Sequence, residues 1–219
     1  MKKKFKLANK NIGQSEPVYF IADIAANHDG KLSQALDLIT AAKDAGADAA
    51  KFQHFNANSI VSDIGFKNLG SKFSHQKNWK KSIFETYQDA SIDLKWTDQL
   101  KNKCDKVGIE FCSTPYAFDL TDHLDKFVNF YKMGSGDITW IDMLEYVSRK
   151  GKPVILSTGA SDISEVETAV KAIQKYNNEI VLMQCNTNYT ANDEDNFNYI
   201  NLNVLKKYQE KFPNTVLGL

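Results

Sequence analysis

Two lysines stand near the ends of short apolar runs: Lys51 in GADAAKFQHF and Lys132 in FYKMGSGD. Side chains alternate along a strand, so Lys51, Gln53 and Phe55 share one face while Phe52 and His54 share the other. The same parity groups Asp23, Ala25 and Asn27 in the run FIADIAAN. Lys132 leads directly into Gly134-Ser135-Gly136. Two ammonium groups, a hydroxyl and accessible backbone N–H groups together make a phosphate site. Each lysine also has a plainer alternative. Its stem can snorkel to solvent, or it can pair with a core carboxylate such as Asp23.

The other reactive residue types are weaker candidates. His54 has the parity opposite to Lys51, which predicts packing beneath a helix. His28, in ANHDG, fits an active-site role and a structural turn equally well. His75 falls in a long insertion, and His123 is expected at a helix surface. No two of these histidines have HxxxH or HExxH spacing, so no metal site is predicted from them. Cys112 and Cys185 lie inside apolar runs, where small core residues are commoner than nucleophiles. Tyr116 and Tyr189, just beyond apolar runs, are the aromatic residues with a claim to a site.

The elements that must position these groups alternate along the chain. Strands are predicted at Val18–Ala25, Ala47–Phe55, Ile109–Pro115, Phe130–Gly134, Val154–Thr158, Ile180–Asn186 and Thr215–Leu219. Near-continuous apolar runs of this kind mark parallel strands covered on both faces. Helices are predicted at Leu32–Ala45, Trp96–Val107, Ala117–Lys126, Trp140–Arg149, Ile163–Tyr176 and Leu202–Phe212. Gly46 is expected to cap the first of these, and Ser161-Asp162 to start the fifth.

Strict alternation implies parallel sheet with right-handed crossovers. No GxGxxG follows the first strand, so the dinucleotide fingerprint is absent. Polar residues cluster at almost every strand end: Asp23/Asn27, Lys51/Gln53, Ser113/Thr114, Lys132/Ser135, Ser157/Thr158 and Asn186/Thr187. One crevice would not need so many, but the top face of a (β/α)₈ TIM barrel would. The fold expected is therefore an α/β barrel spanning 18–219, with residues 1–17 as an N-terminal hairpin at its bottom. Only seven strands can be counted, so the barrel is incomplete and the sequence is expected to continue past Leu219. The insertion Asn56–Lys95, which contains SHQKNWKKS, reads as a functional or mobile loop.

Composition excludes several classes. Lys plus Arg and Asp plus Glu number 27 each, so no global field draws the protein to nucleic acid or membrane. Any anionic ligand must be held locally. The cysteines are three in number with no CxxC, and the basic start MKKKFKLANK is not followed by a signal-length apolar run. A cytoplasmic location is expected.

FIADIAANHDG, GADAAKFQHF, FCSTPY, YKMGSGD, KPVILSTGA and LMQCNTNY, in that order, resemble the N-acetylneuraminate (sialic acid) synthase family from about Val18 to Leu219. The resemblance implies condensation of phosphoenolpyruvate with an N-acetylmannosamine-like sugar aldehyde. Lys51 and Lys132 would hold phosphate and carboxylate, with Thr114, Ser135 and Ser157 adding hydrogen bonds and Asn78 reaching in from the insertion. Gln53, Asp137 and Tyr189 would contact the sugar, Thr187 would stand at the family's sixth-strand Asn position, and Asp23 would orient water or move a proton. Asp23 replaces the usual Glu, Thr187 the Asn, and Gln184 a His, which points to a related nonulosonic acid precursor. The resemblance also implies a divalent cation (manganese or magnesium), whose histidine ligands lie beyond this sequence. It further implies a homodimer when full length, with an antifreeze-like domain. Two other readings stay open: a class I aldolase with a Schiff base on Lys51 or Lys132, and a non-catalytic barrel fragment.

Overall fold

The structure, a computed structural model, describes residues 3–69, 79–187 and 197–219. Two compact units make up the chain: Phe20–Phe127, and Met1–Tyr19 together with Val128–Leu219.

In the unit Phe20–Phe127, three parallel strands lie in the order β3 (Ile21–Ala25), β4 (Ala49–His54), β5 (Glu110–Pro115). Ala49, Ala50 and Phe52 of β4 are fully buried, as expected for a strand covered on both faces. Helix α1 (Leu32–Asp44) buries Ala35, Ile39 and Ala42. It stops at Gly46, whose φ of +87° is left-handed; Ala47 N–H then reaches the carbonyl of Ala42, and Gly46 N–H that of Lys43. These two bonds form a Schellman motif, so the expected glycine cap is present. The helix packed beside it, α5 (Thr97–Val107), ends in the same way at Gly108, φ +75°.

The stretch read as a long loop is helical over much of its described length. It holds α2 (Ala57–Ile60), α3 (Asp63–Leu69), α4 (Ile83–Ala90) and a 3₁₀ turn at Leu94–Trp96. Asn56 caps α2, and Ser82 with Glu85 closes a capping box on α4. Elements this short carry too little periodicity to be recognised; their caps were the available signal. Helix α6 (Phe118–Asp125) follows β5 and buries Leu120, Thr121 and Leu124.

In the other unit, β1 (Lys4–Leu7) and β2 (Lys10–Gly13) form the expected antiparallel hairpin, burying Phe5, Leu7 and Ile12. Four parallel strands follow in the order β6 (Tyr131–Met133), β7 (Val154–Ser157), β8 (Ile180–Met183), β9 (Val216–Gly218). They alternate with α7 (Ile141–Ser148), α8 (Ile163–Gln174) and α9 (Val204–Lys211). Asp162 caps α8, accepting from the backbone of Ser164 and Glu165. Strand β2 packs by β9, and a cavity between them is lined by Gly13, Gln14, Thr215 and Val216, placing the hairpin toward the N-terminal end of β9.

The parallel strands alternating with helices bear out the α/β class. Several strands are shorter than expected. Val18 and Phe20 are 70% and 62% exposed and precede β3, and β8 stops at Met183, three residues short. Among the described residues, no helix is long and apolar enough to cross a membrane.

Leu100 of α5 is completely buried. Leu100→Ala should cost about 2–5 kcal/mol by loss of transfer energy plus a residual cavity. Urea denaturation of the two proteins measures it.

Candidate active site

In the unit Phe20–Phe127 the register brings the predicted residues onto neighbouring strand ends. Asp23 stands opposite Lys51, Lys51 opposite Cys112, and Gln53 opposite Thr114. Lys51 is 6% exposed and its ammonium lies 2.8 Å from Oδ1 of Asp23. The plainer of the two sequence readings, pairing with Asp23, is therefore what the structure contains. The pair is one-sided: the Lys51 side chain is buried, whereas that of Asp23 is 65% exposed. A bulge between Asp23 and Ala25, with Ala25 at φ +52°, re-aims the end of β3.

Gln53 donates through Nε2 to the Tyr116 hydroxyl at 3.0 Å, and Tyr116 meets the ring of Phe55 edge to face. Thr114 is 1% exposed on the same strand face as Gln53 by register. His28 takes the turn role: its Nδ1 accepts from Gly30 N–H at 3.1 Å, and its ring meets Trp96 edge-on. Burial pushes the His28 pKa below the usual histidine value, although Asp29 opposes this. That leaves a neutral ring whose Nε2 has no partner among the described residues.

His54 is fully buried beneath α5, as its parity predicted, hydrogen-bonded to Ser113 and Thr97. His123 corrects an expectation. Instead of standing at the helix surface, it is half-buried and its Nε2 lies 2.9 Å from Thr97 Oγ1, because that face of α6 turns toward the start of α5. Cys104 and Cys112 are buried core thiols. Burial pushes Cys104 up to about 12, far from a reactive thiolate.

In the other unit the second lysine meets a hydroxyl and a backbone carbonyl. Lys132 donates to Ser157 Oγ and to its neighbour's carbonyl, Met133 O, at 3.3 Å. Lys132 is level with Ile155, so Ser157, two residues on, lies on the same face. Ser135 opens the 3₁₀ turn Ser135–Asp137 and its hydroxyl accepts from Gly159 N–H at 3.1 Å. A Cβ on Gly159 would sit 2.3 Å from Thr187 Cγ2, so only glycine fits where this turn meets the residues after β8. Burial pushes the Asp137 carboxyl up to about 6, against the backbone of Gly134 and the charge of Lys132. Its Oδ2 has no partner among the described residues. Such an atom, near a cation at a strand end, is an acceptor available to a ligand.

The structure thus groups Asp23, Lys51, Gln53 and Thr114 in one unit. In the other it groups Lys132 with Ser157, and Ser135 with Thr187 across Gly159; Lys132 also acts on the Asp137 charge. Asn78 and Tyr189 lie outside the described residues. One supporting residue escaped sequence reasoning: Tyr208 of α9 hydrogen-bonds Thr158 Oγ1 at 2.8 Å, and Thr158 donates to Met183 O at 2.7 Å, tying the ends of β7 and β8. Nothing in the local pattern of α9 marks Tyr208. No three His, Cys, Asp or Glu side chains among the described residues come together in a way that could hold a metal ion, so the described donors do not fit one.

Parallel strands with ionisable side chains collected at their C-terminal ends define an α/β protein of the kind that builds ligand sites there. The chain belongs to the NeuB family, which matches residues 38–219. It is 36% identical over 218 residues to the spore coat polysaccharide biosynthesis protein SpsE of Bacillus subtilis, covering 98% of this chain and 56% of that one. The crystal structure of that protein superposes with a TM-score of 0.79. A sialic acid synthetase of Leptospira borgpetersenii, solved with citrate, superposes with a TM-score of 0.82 at 30% identity, over 100% of this chain and 70% of that one. The N,N'-diacetyllegionaminic acid synthase of Legionella pneumophila is 32% identical over 91% of this chain and 56% of its own length. The chain spans little more than half the length of these curated relatives.

Because the folded Asp137 carboxyl titrates near 6 and the unfolded one near 3.8, folding is favoured while it is protonated. That contribution is lost as pH rises from about 4 through about 6. Asp137→Asn should flatten the stability–pH curve in this window, as followed by denaturant titration at pH 4.5 and 7.

Proposed function

We propose that this chain carries the phosphoenolpyruvate half of a sugar-acid synthase, built on part of a (β/α)₈ barrel. The enzyme condenses phosphoenolpyruvate with an N-acetylmannosamine-like aldehyde to a sialic acid or related nonulosonic acid. The observation that carries the reading is Lys132, seated on Ser157 at a strand end beside the turn holding Ser135 and Asp137, in a chain of the NeuB family. An ammonium set against a hydroxyl and a backbone carbonyl at a strand end is a donor suited to an anionic ligand.

In this reading Lys51 and Lys132 bind the phosphate and carboxylate of phosphoenolpyruvate, with Thr114, Ser135, Ser157 and Asn78 completing the hydrogen bonds. Binding at Lys51 loosens its hold on Asp23, freeing that carboxylate to orient water or take a proton. C3 of phosphoenolpyruvate attacks the aldehyde carbon, water adds at C2, and the C2–O bond breaks to release inorganic phosphate. Gln53, Asp137, Thr187 and Tyr189 contact the sugar; Asp137, partly protonated near neutrality, can both donate and accept. In this reading the whole enzyme also takes a divalent cation, manganese or magnesium, which the described residues of this chain do not hold. The working enzyme in this reading is a cytoplasmic homodimer.

The aldolase alternative fares worse. A Schiff-base lysine is activated in an apolar pocket or beside another cation, whereas Lys51 is ion-paired with Asp23. Borohydride with pyruvate should leave both lysines unmodified by mass spectrometry; an adduct on either would sink the synthase reading.

Lys132→Ala should weaken phosphoenolpyruvate binding by about 100-fold or more, the order of cost for removing one partner of a desolvated charge contact. Calorimetry decides it, and unchanged affinity would refute the phosphate role. With ¹⁸O in the bridging position, the label should leave in phosphate.

A further inference from the structure

Behind the strand ends of β4 and β5 lies a set of buried polar groups whose hydrogens follow once the Thr97 hydroxyl is given its backbone acceptor. His54 Nδ1 is 2.7 Å from Ser113 Oγ, and His54 Nε2 is 3.1 Å from Thr97 Oγ1. Thr97 Oγ1 also lies 2.9 Å from His123 Nε2, and it donates to the carbonyl of Leu94 at 2.9 Å. A hydroxyl has a single proton. With that proton on Leu94 O, Thr97 can only accept from both rings, so His54 and His123 each carry hydrogen on Nε2. Two histidinium rings with centroids 6.2 Å apart in a buried setting would repel each other. His54, 0% exposed, is therefore neutral with a bare Nδ1, which accepts from the Ser113 hydroxyl.

We infer that His54, fixed as the neutral Nε2–H tautomer by this network, is a positioning residue that sets the strand ends carrying Gln53 and Thr114. His54 and Ser113 occupy the rear face of the β4–β5 pair, and Gln53 and Thr114 are register partners on the front face. Backbone continuity transmits the restraint: the His54 carbonyl accepts from Tyr116 N–H at 3.0 Å, and the Tyr116 hydroxyl accepts from Gln53. One buried ring thus joins β4, β5, the 3₁₀ turn at Leu94–Trp96, the start of α5 and α6. It also orients the Gln53–Tyr116 pair on the opposite face. Burial, with His123 and His28 nearby, depresses the His54 pKa to about 3, in keeping with a ring that stays neutral.

The front-face consequence rests on the proposed sugar contact of Gln53, but the tautomer does not. Long-range ¹H–¹⁵N spectra of the purified protein should show His54 with bare Nδ1 and protonated Nε2, unchanged between pH 5 and 8. A protonated Nδ1, or titration in that range, would overturn the inference whatever the enzyme does. His54→Gln keeps a donor near the Nε2 position, whereas His54→Phe keeps only the ring shape. The Gln53 side-chain amide resonance should shift in His54→Phe and return toward the native position in His54→Gln. Ser113→Ala, a milder change, should shift it as well while leaving Nε2 protonated. In the synthase assay His54→Phe should raise KM for the sugar about tenfold through Gln53, and raise KM for phosphoenolpyruvate through Thr114. Lowered kcat with both KM values native would mean a folding defect only, and would overturn the positioning role. Absence of turnover in the whole, unmutated enzyme would count against the proposed function, while the resonance measurements would still decide this inference.

Discussion

A lysine built into a parallel strand cannot be buried until oxygens have been found for its ammonium, and that requirement organises both units of this protein. An unpaired buried charge costs several kcal/mol, more than a short strand can spare. Lys51 meets it with the carboxylate of Asp23 on the adjacent strand, and Lys132 with the hydroxyl of Ser157 and a backbone carbonyl. In each case the solution comes from the neighbouring strand, so sheet register and charge placement are one decision. A one-residue slip of β3 against β4 would turn Asp23 away and leave Lys51 buried with no counter-charge.

Much of the architecture was readable because its signals are local. The apolar runs AAKFQHF and VILS, the glycine after α1 and the Asp162 cap each report their own element. What was misread lay where signals are short or where the chain leaves its sheet. Val18 and Phe20 are apolar but exposed, so hydrophobicity alone extended β3 too far. The insertion after β4 contains helices of four to eight residues, below the length at which periodicity is informative.

The candidate site was legible to the depth that parity allows. Alternation placed Lys51 and Gln53 on one face and His54 on the other, and the register agrees. Alternation could not choose between Asp23 and a ligand as the partner of Lys51, because both demand the same inward lysine. Long-range partners were invisible: Tyr208 reaches Thr158 from fifty residues away, and Thr97 meets His54 from forty-three. His123 was misjudged for the same reason, since half-burial on a helix depends on which neighbour it meets.

The contact of Gly159 with Thr187 makes the two positions share a single volume. A Cβ at 159 would need the space that the Thr187 methyl already fills. Divergence at this strand end is therefore coupled. Bulk can be added at 159 only by surrendering it at 187, so a change at the glycine must come with one at the threonine.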